Sequence, residues 1–313
     1  MALVKKEAYF NSSTGVNKIR TLIWLDDEKE PEGLFQIAHG VSEHIGRYND
    51  FAEYLVSLGF VVFGNDHIGH GKSVEDESLL GFTAEHDGHY RFVDDMHILT
   101  GIMRKRYPGL PLVLFGHSMG SMCARVYASM FYEELSGLII CGTGQVPAFF
   151  DFLPLAANDL VEKFGAYTVN DKLAQTLNKA SALMIPNRES DYDWLSVNRK
   201  NIEDYIADPL CGAPLTLAGV RDLVSIAVLC SDPAWAYSIP THLPVMLISG
   251  AKDPIGFDGK GVLAVADKLE MTGHTTEVIL YPGCRHEILN EDCRQTVYED
   301  IDKWMKKYVF AEA

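Results

Sequence analysis

The pentapeptide G-H-S-M-G at residues 116–120 constrains this chain more than any other segment. It follows the apolar run 112–115 and leads directly into the helix-like stretch 121–128. A serine in a G-x-S-x-G pentapeptide between a strand and a helix lies on a tight, strained turn that exposes its hydroxyl. Glycines two residues before and after the serine remove side chains that would clash there. The pattern predicts a nucleophile, Ser118, at the carboxyl edge of a sheet.

The pentapeptide alone is equally compatible with an ordinary strand-to-helix turn, so the rest of the chain has to supply a base and an acid. A serine hydroxyl is a poor nucleophile near neutral pH unless a histidine, oriented by a carboxylate, takes its proton. The partners are expected in the order serine, acid, histidine, each beyond a strand. Asp253 follows the apolar run 245–250, and His286 follows the run 276–281. We therefore predict Ser118, Asp253 and His286 as nucleophile, acid and base.

Two other carboxylates compete for the role of the acid. Asp66 also follows an apolar strand, but it precedes the serine, which is the wrong order. Asp258 stands where the next helix is expected to begin, a position typical of a helix-capping residue. Asp253 therefore remains the predicted acid.

Negative charge that develops on an acyl oxygen needs two backbone N–H donors. One is expected from Met119, the residue after the nucleophile. The other is expected from the loop after the apolar run 34–38, where Gly40 lets the backbone turn so that the N–H of Val41 faces the site. His39 is expected to be structural, with its ring bonded to the backbone of this loop.

Four motifs in this order resemble those of the monoacylglycerol lipase and lysophospholipase-like family of α/β-hydrolases. They are the loop 39–48, the D-x-x-G-H-G-x-S loop at 66–73, the pentapeptide at 116–120 and, counted as one motif, the pair of segments that carry the acid and the histidine, 249–254 and 286–291. The resemblance extends from about residue 15 to the last helix, and it implies the same triad and the same oxyanion donors. One departure is Ile45, where the mammalian enzymes carry a serine, and it argues against a close match to their substrate preference.

Strands alternate with helices along most of the chain, which predicts a mostly parallel sheet covered on both faces. Two early strands, near 4–10 and 19–25, are expected to be antiparallel to the others. Helices are expected near 48–58, 90–107, 119–132, 258–271 and 290–308. Together with the resemblance, this pattern predicts an α/β-hydrolase fold with an eight-stranded sheet.

The alternation stops after the apolar run 138–141, and no strand is predicted from about 146 to 238. The resemblance implies that this helical segment is a cap over the carboxyl edge of the sheet. We expect a hydrolase core in two parts, 1–145 and 239–313, with the cap at 146–238 between them. A minority of the apolar side chains that open the cap are expected to line an acyl tunnel, with Phe149, Phe150, Phe152 and Leu153 as candidates.

The 313 residues carry a formal net charge of −16 and give a pI of about 5.0. This charge argues against a nucleic-acid partner and against electrostatic docking to anionic membranes. No run approaches the roughly 18 apolar residues of a membrane span, and the start of the chain lacks the apolar segment of a secretory signal. The six cysteines contain no C-x-x-C pair, so reduced thiols and a cytoplasmic location are expected. Transient membrane contact and the oligomeric state stay open.

No cofactor and no metal are expected. The segment 71–73 resembles the end of a phosphate-binding P-loop, but that motif needs a glycine at position 66, where the chain has Asp66. The histidines of the neighbouring loops do not have the spacing of a known zinc site; these are His67, His70, His86 and His89.

The residues and the resemblance together predict a serine carboxylester hydrolase that acts through an acyl-enzyme. Its expected substrates are water and a single-chain acyl ester that is monoacylglycerol- or lysophospholipid-like. The same triad would serve a thioesterase, an amidase or a peptidase, because the cap and the pocket determine the substrate. A non-catalytic ligand-binding protein on this scaffold is a further alternative, although it would have no use for the complete set of site residues.

Overall fold

Eight strands form one sheet in the computed structural model, which describes residues 2–170, 172–173, 176 and 181–310. In chain order the strands are β1 (Leu3–Asn11), β2 (Lys18–Asp26), β3 (Gly33–Ala38), β4 (Phe60–Asn65), β5 (Leu112–His117), β6 (Gly137–Cys141), β7 (Val245–Gly250) and β8 (Thr276–Tyr281). Within the sheet they lie in the order β1-β2-β4-β3-β5-β6-β7-β8. The mostly parallel, eight-stranded sheet was predicted correctly.

The direction of the first strand differs from the prediction. β2 pairs antiparallel with β4 and therefore runs against the parallel strands, as expected. β1 also pairs antiparallel with β2, so it runs in the same direction as the parallel strands. The physical reason is the short connection at residues 12–17, which folds β1 and β2 into a hairpin and reverses the chain once more.

Burial along the strands explains their sequences. The five strands β3 to β7 are buried along their whole length, which accounts for their continuous apolar runs. The edge strand β1 is mostly exposed and carries Lys5, Lys6 and Glu7. Charged side chains on an edge strand oppose pairing with another chain.

Helices cover both faces of the sheet. Those within the described residues are α1 (Asn49–Ser57), α2 (Gly88–Arg106), α3 (Met119–Phe131), α4 (Leu153–Phe164), α5 (Arg199–Ala207), α6 (Leu217–Ser231), α7 (Ala234–Ser238), α8 (Lys260–Met271) and α9 (Arg294–Tyr308). Apolar residues of α2, α3, α6 and α8 pack on one face, and those of α1 and α9 pack on the other. None of the described helices has the length and apolar character needed to cross a lipid bilayer.

Two helices begin later than the sequence predicts. α9 begins at Arg294 rather than near 290, because the carboxylate of Glu291 binds backbone N–H groups of other loops instead of joining the helix. α8 begins at Lys260 after Gly259, and no side chain among the described residues caps it. The prediction that Asp258 caps this helix is therefore wrong; its φ of 55° places it in the turn before the helix.

Between β6 and β7 the described residues form helices and one isolated bridge, between Val169 and Thr216. α4 packs on α6, and α6 packs in turn on α3. Ile226 and Cys230 of α6 join the same apolar cluster as the sheet residues. The segment from residue 217 onwards thus lies against the core, and the division at 146 and 238 stays a prediction.

Candidate active site

Ser118 lies on the turn between β5 and α3, in a backbone conformation that L-residues rarely adopt. Its φ is 54° and its ψ is −121°, and a positive φ at a non-glycine residue stores strain. The N–H of Ser118 donates to the carbonyl of Cys141 at 3.0 Å, which holds the turn. A Cβ at Gly120 would overlap the carbonyl oxygen of Ala38, and a Cβ at Gly116 would overlap that of Gly120. The two glycines therefore allow the tight turn that the pentapeptide predicts.

Asp253 and His286 meet beyond the ends of β7 and β8. Nδ1 of His286 donates to Oδ2 of Asp253 at 2.9 Å, and both side chains are buried. Asp253 also accepts from the hydroxyl of Ser249 at 3.1 Å and from the N–H of Ile255 at 2.9 Å. Burial alone would raise the pKa of Asp253, but His286 and these donors hold that pKa below its ordinary value. An ionised Asp253 orients the ring of His286 and leaves Nε2 available to take a proton.

Ser118 and His286 line the same small cavity, whose volume is about 50 Å³. Nε2 of His286 is buried and has no hydrogen-bond partner within the described residues, so it does not bond to the hydroxyl of Ser118 in this conformation. Hydrogen bonds between a nucleophile and its base are often long before substrate binds, and they shorten in the complex. Gly142, with a φ of 58°, permits close packing here, since a Cβ would lie 3.2 Å from the ring of His286.

The loop after β3 approaches Ser118 from the other side. The N–H of Gly40 donates to Oε1 of Glu43 at 2.6 Å, which tightens the loop. A Cβ at Gly40 would lie 3.2 Å from the Cβ of Ser118, and Val41 lines the cavity. Met119 is the first residue of α3, where a backbone N–H has no partner within the helix. Val41 therefore adjoins the same cavity as Ser118, while Met119 follows Ser118 in the chain without lining that cavity. The role of their N–H groups as oxyanion donors stays a prediction.

His39 uses both ring nitrogens on the backbone, the arrangement expected of a structural residue. Nδ1 donates to the carbonyl of Gly40 at 2.7 Å, and Nε2 accepts from the N–H of His67 at 2.9 Å. Asp66, which the order of motifs excluded as the acid, is fully buried. It accepts from the N–H of Ile45 at 2.9 Å and from Arg20 at 3.1 Å. Asp66 therefore holds the loop 39–48, which we call the oxyanion loop, against the sheet.

Sequence reasoning missed a buried ion cluster beside the cavity. Arg47 donates to Glu43 at 2.8 Å and to Glu287 at 2.5 and 2.8 Å. Burial would lower the pKa of Arg47, but Glu287 and Glu43 hold it well above its ordinary value. Arg47 also donates to Asn201 on α5 at 3.0 Å. The cluster therefore joins the oxyanion loop, the residue after His286 and a helix of the predicted cap.

Glu43 also reaches the residue before the nucleophile. Its Oε1 accepts from the hydroxyl of Tyr48 at 2.8 Å and from Nδ1 of His117 at 3.3 Å. Burial would lower the pKa of His117, but the carboxylate of Glu43 holds it above its ordinary value. Glu43 and Arg47 are four residues apart, but Glu43 lies in a loop, so the spacing that indicates an ion pair on a helix does not apply to them. Glu287 lies 240 residues from Arg47, and no local pattern indicates that contact.

The residues that the structure places in the cavity wall are not the ones expected from the apolar opening of the cap. Phe149, Phe150 and Phe152 are 71%, 36% and 57% exposed, and neither they nor Leu153 line the cavity. The cap side of the cavity is instead formed by Tyr192, Trp194, Leu195, Tyr205 and Gly212. An apolar run in a sequence does not distinguish a side chain on the outer surface of a cap from one in a tunnel.

Within the described residues, His44, Asp208 and Cys211 offer one possible metal-ligand set, with their ligand atoms within 4.8 Å of one another. Nδ1 of His44 accepts from the N–H of Gly46, which leaves the ring proton on Nε2. That proton is donated to Asp208 at 2.8 Å. The ring nitrogen is therefore satisfied by an internal hydrogen bond.

Comparison with known proteins decides the family. Residues 29–293 match the model of the family described as serine aminopeptidase, S33, which covers most of the chain. The chain belongs to this family of α/β-hydrolases. The family resemblance predicted from the four motifs is confirmed.

Individual relatives of this hydrolase are lipases and esterases. The solved structure of a thermostable carboxyl esterase from Bacillus coagulans is 32% identical, with a TM-score of 0.91 and 99% of both chains covered. A monoacylglycerol lipase from Mycolicibacterium smegmatis is 28% identical over 302 residues, 96% of this chain and 97% of its own. Human monoglyceride lipase is 28% identical over 283 residues, 88% of this chain and 83% of its own. These likenesses confirm the prediction of a carboxylic ester hydrolase.

The elbow of the hydrolase gives a stability prediction. Gly120→Ala should lower the free energy of unfolding by about 3 kcal/mol, because the new Cβ meets the backbone of Ala38, which no side-chain rotation relieves. Gly101→Ala is the matched control: Gly101 lies within α2, and beyond its chain neighbours and the backbone of its own helix no atom of the described part of the chain would lie within 4 Å of a Cβ there. That variant should gain about 0.5–1 kcal/mol. Urea unfolding at pH 7 measures both, and equal effects would show that the turn at Gly120 tolerates a side chain.

A cluster of three buried histidine rings lies behind the oxyanion loop of the hydrolase. The ring centroid of His67 lies 4.4 Å from that of His39 and 6.5 Å from that of His70. Neither ring nitrogen of His67 has a hydrogen-bond partner within the described part of the chain. Burial lowers the pKa of His67 to about 3, and the neighbouring His70 acts in the same direction.

This pKa makes stability depend on pH. Between about pH 3 and 6.5 the unfolded chain binds a proton at His67 that the folded chain does not, so stability falls as the pH falls through this range. Between pH 7 and 4.5 the loss from this group is about 2–3 kcal/mol. His67→Phe should reduce the acid-induced loss by that amount in urea unfolding at the two pH values. The same loss in both proteins would contradict the prediction, and His86→Phe, at an exposed position, controls for removing one histidine.

Proposed function

We propose that this hydrolase cleaves carboxylic esters through an acyl-enzyme formed on Ser118. The observation that carries the proposal is that Ser118, the Asp253-bound His286 and the Gly40–Val41 loop all adjoin one cavity. His286 would take the proton of Ser118 as it attacks the ester carbonyl, and the N–H groups of Val41 and Met119 would hold the oxyanion. His286 would then protonate the departing alcohol and activate water for deacylation.

The proposed substrates are single-chain acyl esters, monoacylglycerol- or lysophospholipid-like. This proposal rests on the likeness to the monoacylglycerol lipase of Mycolicibacterium smegmatis and to human monoglyceride lipase. Ile45, which departs from the mammalian enzymes, is fully buried among apolar residues and does not line the cavity, so the expectation of a different substrate preference gains no support from its position. The cytoplasmic location also stays a prediction.

We further propose that the segment 146–238 acts as a cap whose first part opens for the acyl chain. The cavity beside Ser118 has a volume of about 50 Å³, and one water molecule needs about 10–15 Å³ of cavity volume. The cavity therefore has room for a few small groups but not for an acyl chain. The exposed aromatic residues Phe149, Phe150 and Phe152, with Leu153, would contact the acyl chain after opening. Their exposure is also compatible with transient contact with a membrane.

An aminopeptidase is the second candidate, because the matched family model carries that description. Such an enzyme needs a free carboxylate to bind the amino terminus of its substrate. Glu43 and Glu287 line the cavity, but both carboxylates are already ion-paired with Arg47, and they also accept hydrogen bonds from Tyr48 and Asn201, so neither is free to bind an ammonium group. An ester substrate, which has no amino terminus to bind, therefore fits this cavity better.

Replacing the proposed nucleophile tests the function. Ser118→Ala should lower the turnover of a short-chain ester at least a hundredfold and abolish labelling by a fluorophosphonate probe, because Ser118 carries the hydroxyl that the strained turn places in the same cavity as His286. Ester hydrolysis and hydrolysis of an aminoacyl anilide, measured side by side with wild-type protein, separate the two candidate activities.

The control for this test is Ser129→Ala, which removes a hydroxyl of α3 whose one hydrogen bond among the described residues is to the carbonyl of Val126. It should keep full labelling. A folded Ser118→Ala protein that retains more than about a hundredth of wild-type turnover would exclude Ser118 as the nucleophile. Wild-type protein that resists the probe and hydrolyses neither substrate would favour a ligand-binding protein.

Truncating the cap aromatics tests their role. Phe149→Ala, Phe150→Ala and Phe152→Ala should lower kcat/KM for octanoyl and longer esters. The expected loss corresponds to about 1–3 kcal/mol of transition-state binding free energy for each lost contact. An acetyl ester should scarcely be affected, since it does not reach these side chains. Met271→Ala, at an exposed apolar residue of α8, is the matched control. Equal losses for all chain lengths would mean that the aromatics only hold the cap together.

A further inference from the structure

The alcohol half of an ester leaves from the side of the general base, because the same histidine has to protonate it. In this structure Trp194 occupies that side. Its ring centroid lies 5.1 Å from that of His286, and the two residues line the same cavity as Ser118. An alcohol bonded to the substrate carbonyl and adjacent to His286 therefore has Trp194 as a neighbour.

Trp194 is held at this position by the histidine loop itself. The side chain of Arg285 donates to the carbonyls of Asp193 at 2.5 Å and Ser196 at 3.1 Å. The N–H of Glu287 donates to the carbonyl of Leu195 at 2.7 Å. The backbone on both sides of Trp194 is thus bonded to the residues on both sides of His286. Motion of the rest of the cap does not have to move this tryptophan away from the base.

The indole N–H of Trp194 is a donor without a partner. Nε1 is buried and has no acceptor within the described residues. A buried N–H that bonds to nothing costs free energy, and a ligand oxygen that accepts from it removes the cost. The cavity of about 50 Å³ limits that ligand to a few non-hydrogen atoms. A hydroxyl group of a small alcohol meets both requirements.

We infer that Trp194 is the residue that selects the alcohol half of the substrate: its indole N–H donates to a free hydroxyl of a small polyhydroxy alcohol. The inference rests on the proposed ester hydrolysis at Ser118. Trp194 favours an ester whose alcohol carries a second hydroxyl over an ester of the same acid with a plain alcohol. It acts on the alcohol side, whereas the exposed aromatics of the cap concern the acyl chain.

The test compares two esters that share one acyl chain, glycerol monooctanoate and ethyl octanoate. The measured quantity is the ratio of their kcat/KM values in the wild-type protein and in Trp194→Phe, which keeps a ring and removes the N–H. We expect the substitution to lower the ratio about tenfold, the usual effect of one lost hydrogen bond to a buried group.

Trp235→Phe is the matched control. Nε1 of Trp235 is also buried without a partner in the described part of the chain, but its ring stacks on Arg125 at 4.5 Å and does not line this cavity. Trp235→Phe should leave the ratio as in wild type. A ratio that changes less than twofold in Trp194→Phe overturns the inference, and so does an equal change in both variants.

The inference and the proposed function fail in different ways. Wild-type protein that hydrolyses neither ester overturns the proposed function, and the role of Trp194 with it. Wild-type protein that hydrolyses both esters, with Trp194→Phe slowing both by the same factor, leaves the proposed function standing and shows that Trp194 only packs against His286.

Discussion

The ion cluster around Arg47 is the interaction on which the candidate site most depends. Two glutamates, Glu43 and Glu287, are buried within a few ångströms of one guanidinium. Without that cation the two carboxylates would be left as unpaired, like charges in a buried site. Such an arrangement destabilises a folded protein by several kcal/mol. Glu43 holds the N–H of Gly40, and Glu287 follows His286 directly. The oxyanion loop and the histidine loop are therefore fixed relative to each other by one charge.

The parallel sheet explains why these loops meet. In parallel strands the carboxyl ends share one edge, so loops that follow β3, β5, β7 and β8 gather there although they are far apart in the chain. This geometry is the reason for predicting that Ser118, Asp253 and His286 meet, since each follows an apolar run that is predicted to be a strand; their catalytic roles stay a prediction. The glycines of the elbow added a local steric signal. The first signal comes from a general property of parallel sheets, and the second comes from residues that are neighbours in the sequence.

Two of the missed features are local. The direction of β1 follows from the short connection at 12–17, and Asp258 lies in the turn directly before α8. The other missed features depend on contacts between distant segments. The cavity residues Tyr192 and Trp194 come from an irregular segment with no periodic pattern. Their position depends on hydrogen bonds to the histidine loop about 90 residues later. No spacing within the segment indicates such bonds.

The same contacts distinguish two parts of the predicted cap, residues 193–198 and residues 149–152, which differ in how firmly they are bonded to the rest of the protein. Residues 193–198 are tied to the histidine loop, because Arg285 and Glu287 bond to carbonyls at 193–196 and the carboxylate of Glu291 accepts from the N–H groups of 197 and 198. The aromatics at 149–152, by contrast, are exposed. A segment with few buried contacts opens at a lower free energy than one held by buried hydrogen bonds. Under the proposed function, the wall beside the base would therefore stay in place while the opening of the cap moves, so that entry of the acyl chain and recognition of the alcohol would not have to share one motion.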